Sequence, residues 1–151
     1  RTPYRDTRIP GEAAEDAQVR WALDLAARVG ELMLRCGAGA PQVVGSVAAV
    51  AASAGVDVVE VDITLQSLLV QASSSSGRPH TLLRVVRRTR HDYARLAAVH
   101  ELVERLAANY HELEKAVAER VHVARDTLRD WQDETRAMMR EIRRMVSALP
   151  A

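Results

Sequence analysis

The chain has 151 residues, 48% of them hydrophobic, and a formal net charge of +1 from 21 basic and 20 acidic side chains. Near-neutrality excludes the strong positive field of a nucleic-acid-binding surface, so no nucleic acid is expected as a partner. With 3% aromatic residues and no Phe, the core must be built from Ala, Val and Leu, and the single cysteine, Cys36, excludes an internal disulfide.

The length suits one domain, with room for a helical extension. The chain opens on Arg1 instead of methionine, which reads as a piece of a longer protein. Residues 1–11 carry Pro3, Pro10 and Gly11 with no apolar period and read as a flexible lead-in. From Glu12 the apolar residues recur at helical spacing through Val19, Leu23, Ala26, Val29 and Met33. Gly37 is placed to end this first helix in the left-handed conformation, and Pro41 suits the first turn of a second. The second helix carries Val43, Val47, Val50 and Ala51 on one face and ends at Gly55. Cys36 to Val56 contains no charged residue, yet its apolar residues are mostly Ala and Val, interrupted by Pro41, Gln42 and Ser46. A buried amphipathic helix fits it better than a membrane span, which needs about 20 strongly apolar residues.

The period then changes. Val56 to Ile63 alternates β-branched residues with Asp57, Glu60 and Asp62, as a strand does. Ser67 to Ala72 is a second strand, Ser73 to Pro79 a turn, and His80 to Arg88 a third strand. Short links predict an antiparallel meander. A helix follows from Tyr93 through Leu96, Val99, Leu102, Val103 and Leu106, with a break expected at Ala107–Tyr110. The last predicted element is one long helix from Glu112 to Ser147. Its stripe runs Val117, Val121, Ala124, Leu128, Trp131, Thr135, Met138, Ile142, Met145 and Leu149, nearly five heptads. The predicted class is therefore α+β: two helices, a three-stranded antiparallel meander, one helix, then a long heptad-patterned helix. As domains, residues 12–110 form the α+β unit and 111–151 the amphipathic helix.

The candidate chemistry is sparse. His100-Glu101-Leu102-Val103-Glu104 begins like a zinc protease motif, but Glu104 stands where the second histidine is needed. His111-Glu112 has no matching partner either, and the eleven-residue spacing of His100, His111 and His122 reads as three unrelated surface histidines. Cys36 sits at a helix C-terminus, where the dipole disfavours a thiolate. Arg84, Arg87, Arg88 and Arg90 form the densest basic run, expected to pair with Asp57, Glu60 and Asp62 across the sheet. No catalytic residue, metal or cofactor is expected.

One ordered set of motifs is more informative than its parts. Leu23 to Gly39, with Gly30, the triplet Leu32-Met33-Leu34 and the turn Cys36-Gly37-Ala38, is followed by Val43 and Val44. After these come Gly55, Val59-Glu60-Val61-Asp62-Ile63-Thr64, Ser67-Leu68-Leu69, Gly77-Arg78-Pro79-His80-Thr81, Arg84 to Arg88 and Tyr93 to Val99. In this order they resemble the N-terminal soluble domain of the threonine/serine exporter family over about residues 20–120. The resemblance implies a cytoplasmic accessory or regulatory domain, soluble itself, at the cytoplasmic face of the cell membrane. It implies as partner the membrane domain of an exporter of threonine, serine or related small amino or organic acids, in cis or as a separate chain. The long last helix departs from the family pattern. Two other classes stay open, a soluble hydrolase and a stand-alone oligomerisation module.

A polar solute would need converging polar groups, and the sheet offers Thr64, Ser67, His80, Thr81 and Arg84. The last helix is expected to exceed its own domain. About 33 residues at 1.5 Å span about 50 Å, against a radius of gyration near 13 Å for a domain of about 100 residues. Homo-oligomerisation through residues 128–149, with Leu128, Trp131, Met138, Ile142 and Met145 at the contact, is the expectation. Arg140, Arg143 and Arg144 would face a membrane surface.

Overall fold

The computed structural model describes residues 10–87, 89–118 and 125–147, with the side chains of 10–13, 113, 114, 116–118, 125–128 and 131 left aside. The elements in order are α1 (Pro10–Arg35), α2 (Ala40–Ser53), β1 (Glu60–Ile63), β2 (Ser67–Ser73), β3 (Pro79–Val85), α3 (Tyr93–Ala118) and α4 (Arg125–Ser147). The α+β class and the antiparallel three-stranded sheet are as the sequence predicts, with strand order β1-β2-β3.

Helix α1 is the centre of the molecule. Ala22, Ala26, Ala27, Val29, Leu32 and Met33 are all fully buried, so several sides of the helix are covered at once. Helix α2 packs along one side, β2 and β3 lie across another, and α3 and α4 complete the enclosure. Small residues make this possible, because a helix can be approached closely only where side chains are short. Gly30 is the tightest point: a Cβ there would lie 2.7 Å from Leu68 Cδ2 and 2.8 Å from Val47 Cγ2. Helix α2 has Pro41 in its first turn and buries Val43, Val47, Val50 and Ala51. No helix among the described residues is long and apolar enough to cross a membrane.

The C-terminus of α1 is well accounted for. Gly37 has φ 96°, and the Ala38 N–H donates to the Met33 carbonyl at 2.9 Å. The segment leading into α3 then satisfies the last carbonyls of α1. Arg90 N–H donates to Arg35 O at 2.7 Å and Asp92 N–H to Cys36 O at 3.3 Å. Asp92 also caps α3, its carboxylate accepting from the Arg95 N–H at 3.0 Å.

Four expectations need correction. Residues 56–59 do not join β1: the Val56 N–H is used by the Ala51 carbonyl in the α2 terminus, and Val58 is 77% exposed. Strand β3 ends at Val85, three residues early. No break occurs at Ala107–Tyr110, and α3 runs on to Ala118. Leu106 is fully buried there, and the polar side chains find partners on other elements, Asn109 on Thr135 and Tyr110 on Asp57. The predicted 112–147 helix is consequently two helices. Helix α4 is separate and packs against α3 and α1, burying Met138, Met139, Ile142 and Val146 in the common core. Burial of these four side chains against the chain's own apolar surface removes them from water without a partner.

Substituting Gly30 should show how much rests on the close approach. Gly30→Ala gains about 1 kcal/mol of helix propensity but overpacks a site bounded by a stiff valine, which costs about 1–3 kcal/mol. A net loss of up to about 2 kcal/mol in urea unfolding is expected, with Gly30→Val worse. A stabilised Gly30→Ala chain would show that α2 and the sheet can move apart freely.

Candidate functional site

Two carboxylates on α1 are buried and both are answered from β3 and the turn before it. Asp16, 2% exposed, accepts from Arg78 Nη1 at 2.8 Å and lies 3.2 Å from His80 Nε2. Glu31 accepts from Arg84 Nε at 2.7 Å and Nη2 at 2.6 Å, with Arg35 at 3.8 Å on its other oxygen. A buried carboxylate without such partners would be strongly destabilising, so these ties hold the helix and strand in one relation.

The sheet residues expected to share a ligand are thereby separated into three places. His80 and Arg84 face α1 and are engaged there. Thr64 and Ser67 close the β1–β2 turn, their hydroxyls 2.7 Å apart and the Ser67 N–H donating to Thr64 Oγ1 at 3.1 Å. Thr81 is exposed on the opposite face of the sheet. Arg84 pairs with Glu31 instead of Asp57, Glu60 or Asp62 because it is half-buried against α1 while Glu60 and Asp62 take the exposed positions of β1.

A different place has the character of a site. The start of α1, the α2–β1 connection and the end of β2 enclose a cleft of about 440 Å³. Glu15, Asp57 and Glu60 give it three carboxylates, Gln18, Gln71 and Ser73 add neutral polar groups, and no Arg, Lys or His lines it among the described residues. Two of the acids are already oriented. The Ser75 N–H donates to Glu15 Oε1 at 2.6 Å, and hydrogen bonding to Ser75 holds the Glu15 carboxyl below its ordinary value. Asp57 accepts from the Tyr110 hydroxyl at 3.0 Å. Gln18 caps α2 through Ala54 O at 3.0 Å and forms the ridge to a second, more open hollow that holds Trp21, Tyr110 and Arg136. The pair of hollows could hold a small polar ligand with a cationic end in the acidic cleft. Sequence reasoning missed this place because its residues come from segments up to 60 positions apart, as in the Glu15–Ser75 bond.

The remaining candidates have structural settings. No three His, Cys, Asp or Glu side chains among the described residues could hold a metal ion. His100 lies 3.2 Å from Glu104 one turn on, His111 is exposed, and His122 lies outside the described residues. Of the expected oligomer contacts, Met138 and Ile142 are core residues and Met145 is packed against the core; the side chains of Leu128 and Trp131 lie outside those described. The self-association surface expected at Met138 and Ile142 is therefore spent inside the chain. Arg140, Arg143 and Arg144 are exposed on the other side of α4.

Comparison with known proteins agrees with the resemblance seen in the sequence. The family model for threonine/serine exporters, ThrE, matches residues 24–132. A Mycobacterium tuberculosis protein named "Probable threonine/serine exporter" is 34% identical over 115 residues, covering 72% of this chain and 22% of that protein. The chain thus spans about a fifth of the length of this relative. No solved structure matches it.

Two outcomes follow from the geometry. Asp16→Ala leaves Arg78 and His80 without their shared acceptor beside a buried position, and should cost about 2–3 kcal/mol in chemical unfolding. Cys36 is buried, and that burial, followed by the nearby Asp92 charge, pushes its thiol pKa up. Its reaction with a disulfide reagent at neutral pH should run at least roughly tenfold slower in the folded chain than after denaturation. Equal rates would mean that the α1 terminus opens readily.

Proposed function

This chain belongs to the threonine/serine exporter family, and on that premise we propose that it is the accessory, non-spanning domain of a small amino-acid exporter. One observation supports this reading above the others. The family match covers most of the chain, yet no described helix is long and apolar enough to cross a membrane. If the exporter moves its solute across a bilayer, the crossing is the work of polypeptide other than this unit. Its partner is then the membrane domain, in cis or as a separate chain, and its place the cytoplasmic face. Arg140, Arg143 and Arg144 favour that side, since α4 turns its apolar residues to the core and its arginines outward, where anionic lipid would attract them.

A regulatory role needs something to sense. The acidic cleft offers Asp57 and Glu60 to the ammonium of a small amino acid, with the neighbouring hollow open to the other end of the molecule. Threonine and serine are the natural probes.

Cells carrying the full-length gene product, loaded with threonine through a threonine-containing dipeptide, should lose internal threonine faster than cells lacking it. Excising the segment equivalent to residues 24–118 should slow that efflux while leaving the protein in the membrane. Unchanged efflux would rule out the accessory role. Calorimetry of the purified chain should give millimolar threonine binding that weakens several-fold in Glu60→Gln; no heat at millimolar ligand would remove the sensing role and leave the docking role standing.

A further inference from the structure

The sheet has two open edges, and they are built differently. Strand β1 is four residues long and carries Glu60 and Asp62 at its two exposed positions. Antiparallel pairing of β1 with a copy of itself centred on Val61 or Asp62 would set carboxylate against carboxylate, the usual guard on a strand edge. Strand β3 is seven residues long, and its outer face is Thr81, Leu83 and Val85, with no charge at all. Leu83 is 59% and Val85 49% exposed.

The direction of the β3 backbone groups can be read from its ends. The Ser74 N–H donates to Arg78 O at 2.9 Å, and the Val86 N–H donates to Gln66 O at 2.7 Å. Alternation between these two bonds turns the backbone groups of His80, Leu82 and Arg84 toward β2. Those of Thr81, Leu83 and Val85 point away from the sheet. Among the described residues β3 pairs with β2 alone. Pro79 falls in the same outward set, so its missing N–H costs β2 nothing and sits only at the extreme of the edge.

We infer that β3 is a self-association edge, pairing antiparallel with β3 of a second copy of this chain to make one six-stranded sheet. The edge is self-complementary about Leu83. Leu83 stands opposite the copy's Leu83, and Thr81 opposite its Val85, so each outward N–H meets a carbonyl. Leu69 lies beside Leu83 in the existing register, and Asp62 beside Leu69. The joined outer face then carries a row of four leucines with an aspartate at each end. Charge favours this occupant. Strand β3 meets its copy without like-charge repulsion, because Arg84 faces inward and is already neutralised by Glu31. The same contrast makes β1 the outer strand of the assembly, protected by its own acids.

Sedimentation of the full chain at tens of micromolar tests this. A dimer is expected, weakened by roughly tenfold or more in Leu83→Lys, which puts two ammonium groups face to face. Thr81→Pro should weaken it comparably, since it removes an outward donor while sparing every bond to β2. Both positions are exposed, and unchanged circular dichroism and melting would separate loss of pairing from loss of folding. Asp62→Lys is the control that should leave the dimer intact. A folded monomer, or a dimer indifferent to both β3 substitutions, overturns the inference.

Discussion

The architecture depends on how closely one helix can be approached. At Gly30, α1 has no side chain, and the space is taken by Leu68 from the sheet and Val47 from α2. The two neighbours meet across a helix backbone that any larger residue would push them away from. Ala22, Ala26 and Ala27 extend the same condition along the helix, so that α1 is enclosed on several sides by thin contacts instead of one thick apolar stripe. A core with no Phe has few bulky residues to fill gaps, and it reaches native density by bringing backbones together.

Polar contacts then set where the sheet stands along that helix. Leucine and valine contacts tolerate sliding; ion pairs between buried carboxylates and particular strand residues do not. Asp16 holds the start of β3 and Glu31 its far end, so the two together fix both the position and the angle of the strand. Neither pair need add much net stability, given the cost of removing charges from water. Their effect is to make other placements of the sheet worse. The cleft at Glu15, Asp57 and Glu60 depends on this placement, because its walls come from three elements that only the α1–sheet relation brings into register.

Much of this was legible in the sequence, and the failures share a cause. Local period identified α1 and α2, and Gly37 and Pro41 marked the boundary between them, because those signals act within a few residues. The ordered motifs around Gly30 and Gly77 pointed to the family. What could not be read was the destination of polar side chains. Arg84 has acids closer to it in sequence, Asp57, Glu60 and Asp62, and an acid from 53 positions away as its partner. Asn109 and Tyr110 look like a helix break until Thr135 and Asp57 are seen to receive them. Of the predicted stripe, Met138 and Ile142 are buried in the core, and periodicity carries no information about which part of the chain covers them. The acidic cleft was invisible for the same reason: Glu15 and Ser75 share no local signal.

The bonds from Arg90 and Asp92 back to the end of α1 have a topological consequence. They close the chain on itself, so that α2 and the entire meander form a loop whose two ends are hydrogen-bonded to each other. The entropy of such a closure rises only with the logarithm of loop length, about 0.6 kcal/mol for each doubling. Insertions at exposed points inside the loop are thermodynamically cheap, and its surface turns are free to lengthen over evolutionary time. The fastening itself has no such latitude. Gly37 has positive φ, and a Cβ on it would stand 2.8 Å from the His91 ring. Sequence drift is therefore cheap at the far rim of the loop and expensive at its knot.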